Sequence, residues 1–520
     1  MLRITRLIPV VALLAAVTGI HASSALASSS QEAIFQDDGQ LKANPAGTLA
    51  TFRSLGVTRV RVSVAWNSLA PQPNSRRAPR RFKGGDPNSY PAGNWAVYDA
   101  IVRDAKADGI GVYFLLTGNA PRWATGPGVP SGTHLQWKPS AAQFGAFAKA
   151  VGTRYSGRYK PRGQSSPLPR VTFWSIWNEP NYGFDLAPQT TNHDSIEVGA
   201  AIYRGLLSHA WSGLLSSGHR PGRDTILIGE TAPRGLDHGI GNFQGVKPLR
   251  FLRALYCVDS RYRQLRGSAA RVRGCPTTSS GSRQFRRQNP ALFSASGFAD
   301  HAYTSQAHPV APNVPTNLNG HGRSDPDFAD LPEVPRLEGV LDRLNRIYGS
   351  GKHYNIWNTE YAYRTNPPDP VGTSLSSQAV WLNQAEYISY KQRRISSFDQ
   401  YLLVDPSGGS FAGGLVLPGG GQKPGFEAWR MPLYLPSTST RRGHSLEVWG
   451  AARPAHFARG RQLVSIQFRA GSAGAFRTLK TVPITNNRGY FDVRLTFPSS
   501  GQVKATWGGL SSRTQNIRVS

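Results

Sequence analysis

Cysteine is almost missing from this chain: Cys257 and Cys275 are the two in 520 residues. With no pair of histidines beside them they exclude a thiolate metal centre, and nothing next to either marks a cysteine nucleophile. Long apolar runs are missing too. The one candidate, Leu7–Ile20, is too short to span a bilayer well, so no membrane span is expected. Acidic residues are scarce, 30 against 60 Lys and Arg, which gives a formal charge of +30. The cations recur along the whole chain, with only local clusters at Arg76–Lys83 and Arg261–Arg287. No helix-turn-helix, zinc finger or aromatic–basic strand accompanies them, so nucleic acid is not the expected partner. Basic composition spread over the surface, or an anionic cell-surface polymer as partner, accounts for the charge. No GxGxxG follows the first strand, and the Gly-rich run Gly408–Gly421 lacks the Lys-Ser/Thr of a phosphate loop. A Ser nucleophile elbow and an HExxH pair are absent as well, and no cofactor or metal is expected.

What is present begins with an N-terminal address. Arg3 and Arg6 precede the apolar run, and Ala25-Leu26-Ala27 supplies the small residues of a cleavage site. Residues 1–27 read as a signal peptide, so the mature chain starts near Ser28 and is secreted to the extracellular side. In an oxidising compartment Cys257 and Cys275, 18 positions apart, are expected to pair as a disulfide. Closing a loop of that size stabilises by roughly 3 kcal/mol on the entropic model. Hydrophobic content of 39%, with 12 Trp, 19 Tyr and 22 Phe, allows a sizeable core, and a monomer is expected.

Along the chain, strand-like runs alternate with helical ones: Ala33–Asp38, Val57–Trp66, Ile110–Leu116, the run opening at Val171, Thr225–Gly229, Gly297–Tyr303, Tyr354–Thr359 and Ile395–Val404. Eight βα repeats over residues 33–436 predict an α/β fold with parallel strands, a closed (β/α)8 TIM barrel, rather than an open sheet. Composition then changes. Residues 437–443 are Ser/Thr/Arg-rich and read as a linker. Residues 444–520 carry six or seven short alternating segments separated by turn signals, the pattern of a small Ig-like β-sandwich.

The stretch Val171–Gly183, VTFWSIWNEPNYG, stands out. Its apolar, aromatic and β-branched start reads as a buried strand, which Pro180 closes because it cannot donate to a ladder. A carboxylate there, Glu179, is costly to bury, and burial is expected to raise its pKa towards that of a general acid. In barrels of this class functional residues sit at the C-terminal strand ends. Those ends offer Arg61 and Trp66-Asn67; Asn119, Pro121 and Trp123; Asn178 and Glu179; Glu230; His301 and Tyr303; Glu360 with Tyr361 and Tyr363; and Gln400-Tyr401. Two carboxylates after aromatic-rich strands, with amides and aromatic faces around them, suit glycosidic bond cleavage. Glu230, a third strand-end carboxylate, reads either as a substrate contact or as a structural group paired to Arg234.

Trp177-Asn178-Glu179-Pro180-Asn181 resembles the strand-four signature of clan A glycoside hydrolases, the retaining enzymes that include cellulase-like family 5 and xylosidase-like family 39. Asn358-Thr359-Glu360-Tyr361 is similar to the clan's strand-seven site, 181 positions after Glu179. The resemblance covers residues 33–436. It implies a carbohydrate substrate, Glu179 as acid/base and Glu360 as nucleophile. It also implies that Arg61 contacts the nucleophile, that His301-Ala302-Tyr303 supplies a Tyr hydrogen bond to it, and that Asn178 holds the sugar 2-hydroxyl. Pro121 and Trp123 resemble the clan's strand-three substrate edge. Where many members place a Trp at the end of strand eight, this chain has Gln400-Tyr401. Asn119 and Tyr401 complete the expected substrate contacts. A non-catalytic glycan- or cell-wall-binding protein on an inactive barrel is the alternative.

Overall fold

Strand-forming residues cluster where the alternation placed them. The computed structural model describes residues 28–129, 135–191, 193, 195–237, 242–304, 307–311 and 321–520; the signal-peptide reading of 1–27 lies outside them. Eight strands form the barrel: β1 (Glu32–Gln36), β2 (Arg59–Ala65), β3 (Gly111–Thr117), β4 (Phe173–Ile176), β5 (Thr225–Thr231), β6 (Gly297–Asp300), β7 (Ile356–Asn358) and β8 (Ile395–Tyr401). All pair in parallel with their neighbours, and β8 closes on β1 in the register Glu32↔Ser397 to Gln36↔Tyr401. Ile34, Tyr113, Phe173, Leu227 and Ala299, from five different strands, fill the interior, with Trp357 against them. The alternate residues face outward to the helices, where the large core lies.

The helices start and stop for local reasons. Helix Ala92–Asp108 ends because Gly109 takes the left-handed conformation (φ 71°) that caps it. Helix Pro248–Leu255 has proline at its first turn. The chain beyond it is fastened by the Cys257–Cys275 disulfide, with Cα atoms 5.6 Å apart. Among the described residues, no helix is long and apolar enough to cross a membrane.

The C-terminal unit is a sandwich of two sheets. Leu433–Tyr434, Ser445–Ala451 and Tyr490–Thr496 form one; Ser439–Thr440, Gln515–Val519, Gly501–Trp507, Leu463–Ala470 and Arg477–Pro483 form the other. Leu446, Val448 and Phe491 meet Val464, Ile466, Val503 and Ile517 between them. Residues 437–443 are therefore not a plain linker: Ser439–Thr440 pairs in parallel with Arg518–Val519. Leu433–Tyr434 likewise pairs with Trp449–Gly450 ahead of the expected boundary at 436. Two-residue strands carry no periodicity to read, and their hydrogen bonds come from partners distant in sequence.

The barrel and the sandwich share a buried ion cluster. Arg453 donates from Nη2 to Glu386 Oε2 (2.7 Å) and from Nε to the Trp429 carbonyl (2.9 Å), and its guanidinium lies 4.2 Å over the Trp429 ring. The other Glu386 oxygen accepts from Tyr490 (2.8 Å), whose hydroxyl accepts from Gln31 Nε2 (3.1 Å). Gly56 must be glycine here. Its φ is 76°, and a Cβ would stand 2.4 Å from the Arg453 carbonyl carbon.

Candidate active site

At the C-terminal end of the barrel the strand ends surround a cavity of about 410 Å³. Asp38, Ser63, Gly118, Asn178, Glu179, Asp185, Arg234, Tyr303, Glu360, Tyr401 and Phe411 line it.

Its central segment is built by an abrupt strand ending. β4 is buried throughout and apolar except for Ser175. Trp177 then turns left-handed (φ 69°), and so does Glu179 (φ 36°). Non-glycine residues in that region cost on the order of 1–3 kcal/mol each, a strain that persists only where packing enforces it. The packing is visible. The Trp177 backbone N–H donates to the Leu116 carbonyl (2.7 Å), and the indole N–H donates to the Asp185 carbonyl (3.2 Å). The ring lies on Gly118, where a Cβ would be 2.8 Å from it. The Glu179 carboxylate is thereby turned over the barrel mouth. Asn181 then ties this loop to the one after β5, donating to the carbonyls of Ala232 (3.1 Å) and Val246 (3.0 Å).

Beneath the cavity lies a charge network centred on Arg61, which is fully buried. Nη1 donates to Glu360 Oε2 (3.0 Å) and to Gln36; Nη2 donates to Glu230 Oε2 (2.9 Å) and Asn178 Oδ1 (3.0 Å). Tyr303 donates to the other Glu360 oxygen (3.0 Å). His301 reaches Glu179 Oε1 from Nδ1 (3.0 Å) and Glu230 Oε2 from Nε2 (2.9 Å). Burial alone would push His301 down. Glu360, Glu179 and Glu230 outweigh it and carry its pKa up to about 10, so the ring is an imidazolium donating from both nitrogens.

The carboxyls around this cation divide sharply. Burial pushes Glu230 up, but Arg61 and then His301 hold it well below the carboxylate range. It also accepts from Thr359 Oγ1 (2.8 Å) and from the Tyr113 hydroxyl. Burial pushes Glu179 up as well, yet the His301 hydrogen bond and charge, then Arg234 and Arg61, leave it lowered. This corrects the sequence expectation of a raised Glu179: burial acts as expected, but other strands bring cations that the local sequence does not show. The raised group is Asp185, pushed up to about 8 by burial and then by the charge of Glu179. Its Oδ1 accepts from Asn178 Nδ2 (3.2 Å). At neutral pH the proton of this pair resides on Asp185.

Glu179, His301 and Glu360 each place a side-chain O or N within 4.8 Å of the other two.

The structure gathers Arg61, Asn178, Glu179, His301, Tyr303 and Glu360 into one network, with Tyr401 on the cavity wall. Two expected contacts are not brought in. The Trp123 indole donates to the Pro71 carbonyl (3.1 Å) and packs edge-on against Trp66 and Phe82. Asn119 is exposed, its carbonyl accepting from Asn67 (3.0 Å). The chain turns off the cavity after Gly118, so neither lines it. Glu230 pairs with Arg61 rather than Arg234. Gln400 is spent on the backbone, donating to the Gly413 carbonyl (2.8 Å).

Sequence reasoning passed over Asp38 and Asp185 and gave Arg234 only a structural role. Asp38 opens the helix Asp38–Ala43 two residues after β1, close enough to the strand end that the strand-end reading itself could have queried it. Asp185 lies six residues after Glu179 with no periodic signal to mark it.

No family model matches this sequence, and no curated protein is similar to it. Solved structures similar to it include a family 39 glycoside hydrolase from the gut symbiont Bacteroides cellulosilyticus WH2, at 14% identity over 90% of this chain and 80% of that one, with a TM-score of 0.48. The endo-beta-1,4-mannanase from Thermotoga petrophila is 10% identical over 94% and 97%, TM-score 0.40. The family 1 β-glucosidase from Thermotoga maritima is 13% identical over 72% and 81%, TM-score 0.41.

Proposed function

We propose that this protein is a secreted retaining glycoside hydrolase that cleaves the O-glycosidic bond of a β-linked glycan or glycoside. The observation that carries the reading is the pair Glu179 and Glu360, on opposite strand ends of one cavity with carboxylate oxygens within 4.8 Å. Double displacement uses carboxyls about 5–5.5 Å apart, whereas inversion needs roughly 6.5–9.5 Å to admit a water.

The roles follow from the contacts. Glu360 accepts from Arg61 and Tyr303, which fix its orientation, and it attacks the anomeric carbon as nucleophile. Glu179 gives its proton to the leaving oxygen and later takes one from the water that hydrolyses the glycosyl ester. Since His301, Arg234 and Arg61 hold Glu179 low, its proton is supplied from the neighbouring Asp185 or retained when substrate changes the surrounding charge. Asn178 uses one amide proton on Asp185 and keeps the other for the sugar 2-hydroxyl. Export is part of the proposal, supported by the Cys257–Cys275 disulfide and the N-terminal sequence.

The test is a panel of aryl glycosides with 2-deoxy-2-fluoro glycosyl traps, read by peptide mass spectrometry. Turnover and a label on Glu360 support the proposal. Glycan binding with neither turnover nor label supports a non-catalytic barrel.

A further inference from the structure

We propose that Arg234 forms a subsite for a carboxylate carried by the bound sugar, so that the glycan taken by this cavity contains uronic acid. The proposal rests on the hydrolase reading for the fate of that sugar, not for its binding.

Arg234 differs from several inward-turned arginines that a carboxylate holds, and from Arg204, whose guanidinium is taken up by the carbonyls of Ala254, Leu255, Arg273 and Gly274. Arg154 is held by Asp99, Arg253 by Asp327 and Arg453 by Glu386, each at 2.6–2.7 Å. Arg234 lines the cavity beside Glu179, and among the described residues no carboxylate oxygen lies within 4 Å of its guanidinium. Its Nε is buried without a hydrogen-bond partner. The group is nonetheless fixed. Its guanidinium lies 4.8 Å over the Tyr182 ring, and its backbone carbonyl accepts from Asn181 Nδ2 (3.3 Å). A planar donor fork held in place on the cavity wall, attracted by Glu179 but with no carboxylate oxygen within 4 Å among the described residues, matches a carboxylate in geometry and charge.

The other groups in the cavity give the subsite a direction. Asp38 and Glu360 also line the cavity and repel an acidic group placed against them. Arg234 also depresses Glu179, as do His301 and Arg61. A sugar carboxylate on Arg234 cancels one of these influences and lets Glu179 keep the proton that bond cleavage requires. An acidic sugar is thus both held and matched to the acid, while a neutral sugar leaves Arg234 uncompensated. The surplus of cations over the whole chain draws acidic glycans towards the protein before this contact forms.

The test uses the full chain carrying Glu360→Gln, so that bound glycan is not consumed, alone and combined with Arg234→Gln or Arg234→Lys. Calorimetry compares oligogalacturonate, alginate and hyaluronan oligosaccharides with their carboxyl-reduced, neutral counterparts. We expect at least one acidic oligosaccharide to bind roughly ten- to a hundredfold tighter than its reduced form, the scale of a charge-assisted pair. Arg234→Gln removes that preference and Arg234→Lys keeps part of it. Equal binding of acidic and reduced forms, or no binding of any acidic form, overturns the proposal. A preference that survives Arg234→Gln overturns it too, assigning the attraction to the general surface charge. The readings fail separately. Arg234-dependent binding with no turnover by the unsubstituted chain sinks the hydrolase and keeps the subsite; turnover of neutral glycosides untouched by Arg234→Gln does the reverse.

Discussion

Arg61 and Arg453 are both fully buried guanidiniums paired with glutamate, one under the cavity and one between barrel and sandwich. Around Arg453 the geometry closes on itself: Glu386, the Trp429 carbonyl, Tyr490 and Gln31 satisfy one another, and Arg453 and Glu386 are both almost wholly buried. Around Arg61 four acceptors compete for one cation, a second cation stands at His301, and Glu360 stays 14% exposed to the cavity. Buried charge alone therefore does not mark a site. What marks it is a surplus of charged groups, balanced only as a set and open on one side.

The contrast can be broken by substitution. Glu360→Ala should abolish turnover of aryl glycosides while the melting curve stays close to that of the unsubstituted chain; loss of the fold instead would make Arg61 a structural centre like Arg453. Glu179→Ala should lower turnover by about 10²–10⁴-fold and regain part of it with azide on substrates with good leaving groups. At the other cluster, Glu386→Ala should cost about 3–5 kcal/mol in denaturant unfolding, because it strands a buried cation, with specific activity of the folded fraction unchanged. Replacing both partners, Glu386→Leu with Arg453→Met, should recover most of that loss. The mildest test is pH. His301 keeps its proton up to about pH 10 when folded but only to its ordinary 6.5 when unfolded, so its stabilisation is complete below 6.5 and fades as pH rises to 10. Asp185, protonated to about 8 when folded and to 3.8 when unfolded, also makes stability fall between those values. Thermal midpoints should decline across both windows, His301→Gln flattening the upper one and Asp185→Asn the lower.

Much of this was legible in the sequence, for a physical reason. The eight barrel strands are short, and most are rich in apolar and β-branched residues between turn signals, so local pattern is enough to place them. Glu179 and Glu360 follow as carboxylates at the ends of such strands. What stayed hidden depends on groups that meet only after folding. The depressed state of Glu179 comes from His301, Arg234 and Arg61, contributed by three other strands or loops. Asp185 and Arg234 sit in loops with no repeating pattern. Trp123 looked like a sugar platform because an aromatic near a strand end serves packing and stacking equally well, and only its contacts with Trp66 and Phe82 decide between them.

The left-handed residues Trp177, Glu179 and Glu230 at the barrel mouth carry one more consequence. Glycine at Glu179 would relieve the backbone and remove the acid, whereas at Trp177 and Glu230 it would empty the core and strand Arg61, so packing and pairing hold those two in place. The chain disagrees with its own backbone at these places, and two of the three residues it insists on are carboxylates. At Glu179 that disagreement is a readable trace of selection for chemistry, present before any substrate is known.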